Sequence, residues 1–179
     1  MQSDIDQVSQ LDDIIEDRVY YTTFFGDSAD YYQERYDRFL RGEKFIFNFY
    51  AFLFGVSWLA YRKLYPEAII LFSATLIVDV ILLLFFDLFN NSLLSNFTML
   101  LWAGIAGYLA NYIYLRKAQR TVIQAKEVYT NTGEQQDYLE REGGTSYIGL
   151  IVIGFFYLMF IVGLFFFYDY IRDFFTGNN

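Results

Sequence analysis

Asp79 is the residue on which intramembrane chemistry could turn, because it stands as a lone charge in LIVDVILLL within the apolar run 68–86. A carboxyl group in hydrocarbon can carry a proton or hold a cation, and such a group ordinarily faces protein or a water-filled cavity rather than lipid. Tyr108 is a candidate hydrogen-bond donor to it, Thr75 lies one turn away on the same helix, and Asn111 completes a candidate intramembrane polar site. The competing role is a structural hydrogen bond between helices, since no second acid, lysine or histidine accompanies Asp79 in that run. An Asp at a helix centre costs about 2.5–3.5 kcal/mol on insertion scales, while each Ile, Leu, Val or Phe returns roughly 0.3–0.6. The run holds fourteen of these, so it inserts with Asp79 in place. Counting along an antiparallel hairpin sets Asp79 level with Gly104 to Tyr108.

A second set of residues could meet a lipid or a protein at the membrane surface: Tyr32, Tyr36, Arg38, Trp58, Tyr61, Arg62 and Lys63. Trp58 and Tyr61 fall where an interfacial aromatic belt would lie, and Arg62 and Lys63 can pair with anionic headgroups at about 1 kcal/mol each. Plain topological anchoring is the competing role.

Residue types exclude much other chemistry. The 179 residues contain neither Cys nor His, which removes disulfides, thiolate nucleophiles, zinc or haem sites built on those ligands, and Ser-His or Cys-His pairs. Neither a phosphate-loop signature nor HExxH is present. Gly143 and Gly144, before Thr145 and Ser146, could cradle a phosphate at a helix start, although a cap and hinge is the simpler role. No residue takes a catalytic, cofactor-binding or metal-binding role, and the expectation is a protein that is not an enzyme and uses no cofactor. A net charge of −8 and a pI near 4.4 argue against nucleic acid, which needs clustered Lys and Arg. The expected partners are the lipid bilayer and either another protein or a second copy of the chain.

The elements that position these residues follow from hydropathy. Runs 68–86, 93–115 and 147–168 each have about the 20 residues that a helix needs to cross some 30 Å of hydrocarbon. They predict an all-α polytopic membrane bundle. A fourth apolar segment, 45–61, contains Asn48, Gly55 and Ser57 and reaches only about 25 Å as a helix. If it is re-entrant, twelve of the thirteen Lys and Arg residues share one side and only Arg172 lies opposite; if it spans, the split is seven against six. Because cytoplasmic loops are enriched in these residues, three spans plus a re-entrant segment are preferred, with the amino terminus cytoplasmic.

Residues 1–26 read as an acidic, flexible cytoplasmic tail without a cleavable secretion signal; 1–44 holds eleven Asp or Glu against five Lys or Arg. Residues 27–44 form an amphipathic helix, with Tyr32, Tyr36, Phe39 and Leu40 on one stripe and Gly42 at its end. That stripe serves either an anionic membrane surface or packing against the protein. The membrane domain is 45–168, and 169–179 is a short tail. Asp87 to Asn96 makes a tight outer turn, and the loop 116–146 extends the second span to about Lys126, breaks at Asn131 to Gly133, and resumes as a helix to Glu142. Ala103, Gly107 and Asn111, with Ala106 and Ala110, give the second span a small-residue face for close helix packing or for a homodimer.

The stretch YYQERYDRFLRGEKFIFNFYAFLFGVSWLAYRKLYPEA resembles the bacterial membrane proteins grouped as domain of unknown function 2628. The features that carry the likeness are Tyr31 and Tyr32, then Asn48, Ala51, Phe52, Gly55 and Trp58, then Tyr61, Arg62, Lys63 and Tyr65. Asn111, Tyr114 and the Gly143 to Ser146 stretch resemble later landmarks of that family. The resemblance implies a small polytopic inner-membrane protein and brings no activity, cofactor or catalytic residue. Where Val56 follows Gly55, the family often has proline. Two functions remain open: a non-enzymatic membrane anchor for a cytoplasmic partner- or lipid-binding surface, and a small transporter or channel subunit working through Asp79.

Overall fold

The computed structural model describes residues 17–86 and 92–176, with no strand among the described residues. In chain order the helices are α1 (17–25), α2 (Ala29–Leu40), α3 (Phe49–Phe54), α4 (Val56–Tyr61), α5 (Tyr65–Phe86), α6 (Ser92–Val128), α7 (Thr132–Glu142) and α8 (Tyr147–Thr176), with one 3-10 turn at Gly26–Ser28.

Three of these, α5, α6 and α8, are long and apolar enough to cross a membrane. Their flanks expose Ile69, Ile77, Phe85, Ile151, Phe155 and Ile161, a surface that water would expel and lipid solvates. The protein is therefore an all-α membrane bundle. At 37 residues, α6 is about 55 Å long, so it crosses the bilayer and projects well beyond it. Its start at Ser92 shortens the expected outer turn; residues 87–91 lie outside the described residues. The last helix runs to Thr176, so 169–176 continues α8 rather than forming a tail.

The projecting end of α6 carries a compact head. Tyr20, Phe24 and Phe25 of α1 and Tyr32 and Tyr36 of α2 are buried around Tyr114, Ala118, Val122 and Ala125 of α6 and Leu139 of α7. The Tyr20 hydroxyl donates to Gln135 Oε1 at 2.6 Å, and the Gly144 N–H donates to the Phe24 carbonyl at 2.7 Å. Residues 17–26 thus belong to the folded body, correcting the flexible-tail expectation for that part; 1–16 lie outside the described residues. Their aromatic pairs at i and i+4 bury more apolar surface than the surrounding acids disfavour. The same packing turns the α2 stripe inward against protein. Asn131 caps α7 by accepting from the Gly133 N–H at 2.8 Å, and Ser146 caps α8 by accepting from the Gly149 N–H at 3.1 Å.

Segment 45–61 is a hairpin rather than a span. Asn48 caps α3 through its Oδ1, which accepts from the Ala51 N–H at 2.9 Å. The chain then reverses at Gly55, with φ 50° and ψ −122°, a backbone conformation that L side chains resist and glycine adopts freely. The incoming arm joins α6 where the Asn48 N–H donates to the Gly107 carbonyl at 2.8 Å. The outgoing end returns to the head side, where Lys117 Nζ donates to the Lys63 carbonyl at 2.9 Å and the Ser146 N–H to the Tyr61 carbonyl at 2.7 Å.

Within the bundle, α3 lies on α6, and α4 lies on α5 and α8, so the hairpin sits between α6 and the other two spans, which meet where the Phe72 ring packs on Tyr157 at 5.0 Å. Contact between α5 and α6 is slight, unlike the tight pair expected from the sequence. The small-residue face of α6 receives this wedge: Ala106, Gly107, Ala110 and Asn111 are all buried. A Cβ at Gly107 would meet Phe47 Cε2 at 2.7 Å and Phe52 Cβ at 3.0 Å, whereas nothing lies within 4 Å of one at Gly104.

Gly107→Leu should therefore lower the thermal midpoint in detergent by the equivalent of about 1–3 kcal/mol, the range for overpacking, while Gly104→Leu leaves it nearly unchanged. The natural chain lacks Cys, so single cysteines replacing Arg41 and Thr130 should both react with an impermeant thiol reagent from one membrane face, and one replacing Ser92 from the other. Labelling of positions 41 and 130 from opposite faces would refute the hairpin.

Candidate functional site

The cavity with the most convergent polar chemistry lies where the head meets the hairpin, and Arg62 is built into its wall. Arg62 follows the last turn of α4 and is 7 % exposed. Its Nη2 donates to Ser28 Oγ at 2.9 Å and the Tyr114 hydroxyl lies beside the guanidinium, while among the described residues its Nε and Nη1 are buried with no acceptor at hydrogen-bond distance. The guanidinium carbon stands over the rings of Tyr32 at 4.8 Å, Tyr114 at 5.4 Å and Tyr61 at 5.6 Å. No carboxylate pairs with it among the described residues.

Magnitudes show what this arrangement lacks. Withdrawing a charge from water costs several kcal/mol even after relaxation. A desolvated cation–π contact returns about 2 kcal/mol at best, and a hydrogen bond from a charged group about 1.5–3. The rings and Ser28 hold the guanidinium in place; its charge remains unneutralised.

The cavity beside it measures about 650 Å³. Tyr31, Tyr50, Tyr61 and Tyr147 give it aromatic walls, Phe54 and Leu150 line its apolar part, and Asp27 and Asp30 stand at its head side. Both acids are beyond ion-pair distance of Arg62. Burial holds the Tyr32 hydroxyl above its ordinary pKa, against the opposing pull of Arg62, so Tyr32 is a neutral phenol at the cavity wall.

The residues singled out in the sequence separate into different environments. Tyr32, Trp58, Tyr61 and Arg62 meet at this cavity, but Arg62 and Trp58 are buried rather than set on a headgroup surface. Tyr36 is buried in the head, its ring 4.1 Å from that of Tyr21. Arg38 is paired with Glu43 at 2.8 Å, which raises its pKa. Lys63 adopts a left-handed conformation, φ 57°, and its Nζ donates to the Arg141 carbonyl at 2.8 Å. Its ammonium therefore caps the end of α7 rather than reaching lipid, and burial lowers its pKa. Gly143 and Gly144 dock on the Phe24 carbonyl, which closes them to a phosphate.

The expected trio of Asp79, Tyr108 and Asn111 is not one site. Tyr108 is exposed and packs on Phe45 and Phe47. Asn111 is buried against the hairpin, accepting from Asn48 Nδ2 at 2.7 Å and donating to the Ile46 carbonyl at 3.1 Å. Asp79 lines a separate hollow with Ser95, Thr98, Trp102 and Tyr157. Because α6 starts at Ser92, Asp79 stands about one turn nearer the far side than the counted register placed it. Among the described residues no group of three or more His, Cys, Asp or Glu side chains could hold a metal ion.

Sequence reasoning did not assign Ser28, Tyr114, Tyr147 or the two acids to the site. Their signal was available only as an excess of Tyr, because it takes the return of the hairpin to bring α2, α4, α6 and α8 to one place.

The residues that build the hairpin, most of α6 and the α1 and α2 part of the head are also those for which a relationship is detectable. Residues 19–120 match the model of a family described as protein of unknown function (DUF2628). The match stops before the Gly143 to Ser146 stretch and α8, which the sequence resemblance had included. No curated protein and no solved structure matches the chain. With more than half of its length matched, the chain belongs to the DUF2628 family.

Proposed function

We propose that the protein is a non-enzymatic membrane protein that holds an amphiphile with a zwitterionic headgroup, a phospholipid carrying both phosphate and ammonium, in the cavity beside Arg62. The observation that carries this reading is the buried guanidinium without a counter-ion at the cavity wall. A phosphate there supplies the missing negative charge, and charge-assisted bonds from guanidinium to phosphate are among the strong ones. Asp27 and Asp30, together with the tyrosine faces, suit an ammonium on the same molecule. The apolar part of the cavity, at Phe54 and Leu150, then receives the start of the acyl chains.

Twelve of the thirteen Lys and Arg residues lie on the helices of the head or in the segments adjoining it, and only Arg172 lies at the far end of α8. This asymmetry supports a head that faces the cytoplasm from a bacterial inner membrane. A protein partner for the exposed acidic face of the head is compatible with the same arrangement.

Native mass spectrometry of the purified full chain tests the reading after delipidation and re-addition of defined lipids. Phosphatidylethanolamine should be retained over phosphatidylglycerol. Arg62→Gln should weaken retention by about tenfold or more, as loss of a charge-assisted bond implies, and Arg62→Lys by less. The pair Asp27→Asn with Asp30→Asn, which leaves the core untouched, should shift preference toward phosphatidylglycerol. Equal retention of both lipids in all variants would refute the proposal.

A further inference from the structure

A second cavity, of about 470 Å³, lies under the tip of the hairpin and contains the one charge in the body of α5, Asp79. It shares no polar residue with the cavity beside Arg62, so the chemistry at Asp79 is separate from that at the head side. Asp79 is seven residues from the end of α5 at Phe86, about 10 Å from the far side. No hydrogen bond or ion pair engages its carboxyl group among the described residues.

The surrounding groups are oxygen-rich, and their lone pairs are left available. Thr75 and Thr98 both line the hollow, and each hydroxyl donates its hydrogen to its own helix, to the Leu71 carbonyl at 2.7 Å and the Leu94 carbonyl at 2.5 Å. Each oxygen is thereby an acceptor toward the cavity. The tip adds backbone oxygens. The break at Gly55 leaves the carbonyls of Phe52, Leu53 and Phe54 without a backbone donor among the described residues, since the Gly55 N–H bonds to Ala51 and the Trp58 N–H to Gly55. Helix carbonyls point toward the C-terminal end, and these three residues line the hollow. Irregular backbone at membrane depth persists only where protein, water or a ligand satisfies it. Carbonyls at the end of a broken helix are a recurrent means of coordinating small cations in membranes.

Charge decides the valence. A single carboxylate neutralises one positive charge, and a divalent ion would leave an uncompensated charge in hydrocarbon. We infer that the hollow beneath the hairpin is a binding site for a small monovalent cation, coordinated by the Asp79 carboxylate, the Thr75 and Thr98 hydroxyls and the orphaned carbonyls of the α3 end. The buried Trp102 indole N–H, which has no acceptor among the described residues, can donate to the carboxylate oxygen turned away from the ion.

A hydrophobic carbodiimide, which adds to a protonated carboxyl, provides the test. The purified full chain is treated in detergent at constant ionic strength in sodium, potassium or choline chloride, and adducts are mapped by peptide mass spectrometry. Asp79 should be labelled in choline chloride and protected about tenfold by sodium or potassium at saturation, as expected when ion occupancy goes from nearly none to nearly complete. Thr98→Val should raise the protecting concentration several-fold. Thermal unfolding gives an independent readout: an alkali cation should raise the midpoint of the natural chain and not that of Asp79→Asn. Labelling that is the same in all three salts marks a site for protons alone and overturns the inference. So does absence of label in choline chloride, or an equal cation shift in Asp79→Asn.

Discussion

The membrane half of this protein depends on one buried amide pair. Asn48 and Asn111, each fully buried, share a side-chain hydrogen bond at 2.7 Å, and between them they also satisfy backbone groups at the start of the hairpin and at Ile46. In hydrocarbon an unpaired peptide group costs several kcal/mol, so a chain that enters the bilayer and turns back needs its non-helical entry bonded to something fixed. Here that fixed element is α6. The small residues at Ala106, Gly107 and Ala110 bring the helix backbone close enough for the Asn48 N–H to reach the Gly107 carbonyl. A side chain at Gly107 would press on the Phe47 ring edge and on Phe52 Cβ, so one of them must shift at the point where the hairpin joins α6.

From this anchor follow both places where charge stands without a partner. The hairpin fills the middle of the bundle and divides the space between the spans in two, with Phe54 lining the cavity on either side. Its returning arm delivers Arg62 into the rings of Tyr32, Tyr61 and Tyr114. Its tip stands over Asp79. A continuous fourth span would have put Arg62 in water and left no hollow beside Asp79. The break at Gly55 therefore creates the electrostatics of the molecule as well as its topology.

The three spans, the helical extension of α6 to Val128 and the separate α7 were legible as apolar length and as turn residues at Asn131 and Gly133. The hairpin was legible through charge: only a re-entrant segment 45–61 places the basic residues of 18–44 beside those of 116–141. The role of α1 was hidden because acids surround it, and the pairs Tyr20 with Phe24 and Tyr21 with Phe25 speak only once α6 offers Ala118 and Ala125 as a floor. Asp79 was legible as a residue that must face protein, but not its neighbours. Their identity depends on where α6 begins, and a shift of about one turn at Ser92 replaces Tyr108 by Thr98 and Trp102. Arginine beside lysine after an apolar run ordinarily snorkels to the surface; the burial of Arg62 is imposed by α2, which no local pattern connects to it.

Stability is unevenly placed along the membrane normal, and Tyr114 marks where it changes. Tyr114 is wholly buried and touches Phe24 and Phe25 of α1, Tyr32 of α2 and Trp58 of α4, so a single ring joins the head to the hairpin. Beyond Gly107 toward the far side the buried residues of α6 become few, Ala106 and Thr98, and among the described residues the other two spans bury only Ala68 on α5 and Gly149 and Ile153 on α8. Past the contact of Phe72 on α5 with Tyr157 and Phe160 on α8, the far ends of the spans expose most of their apolar side chains to lipid. Pairwise helix packing there would have buried Asp79 and closed its hollow. The sparse packing of that half is what leaves Asp79 open to its hollow, while the aromatic head around Tyr114 joins the elements at their other ends.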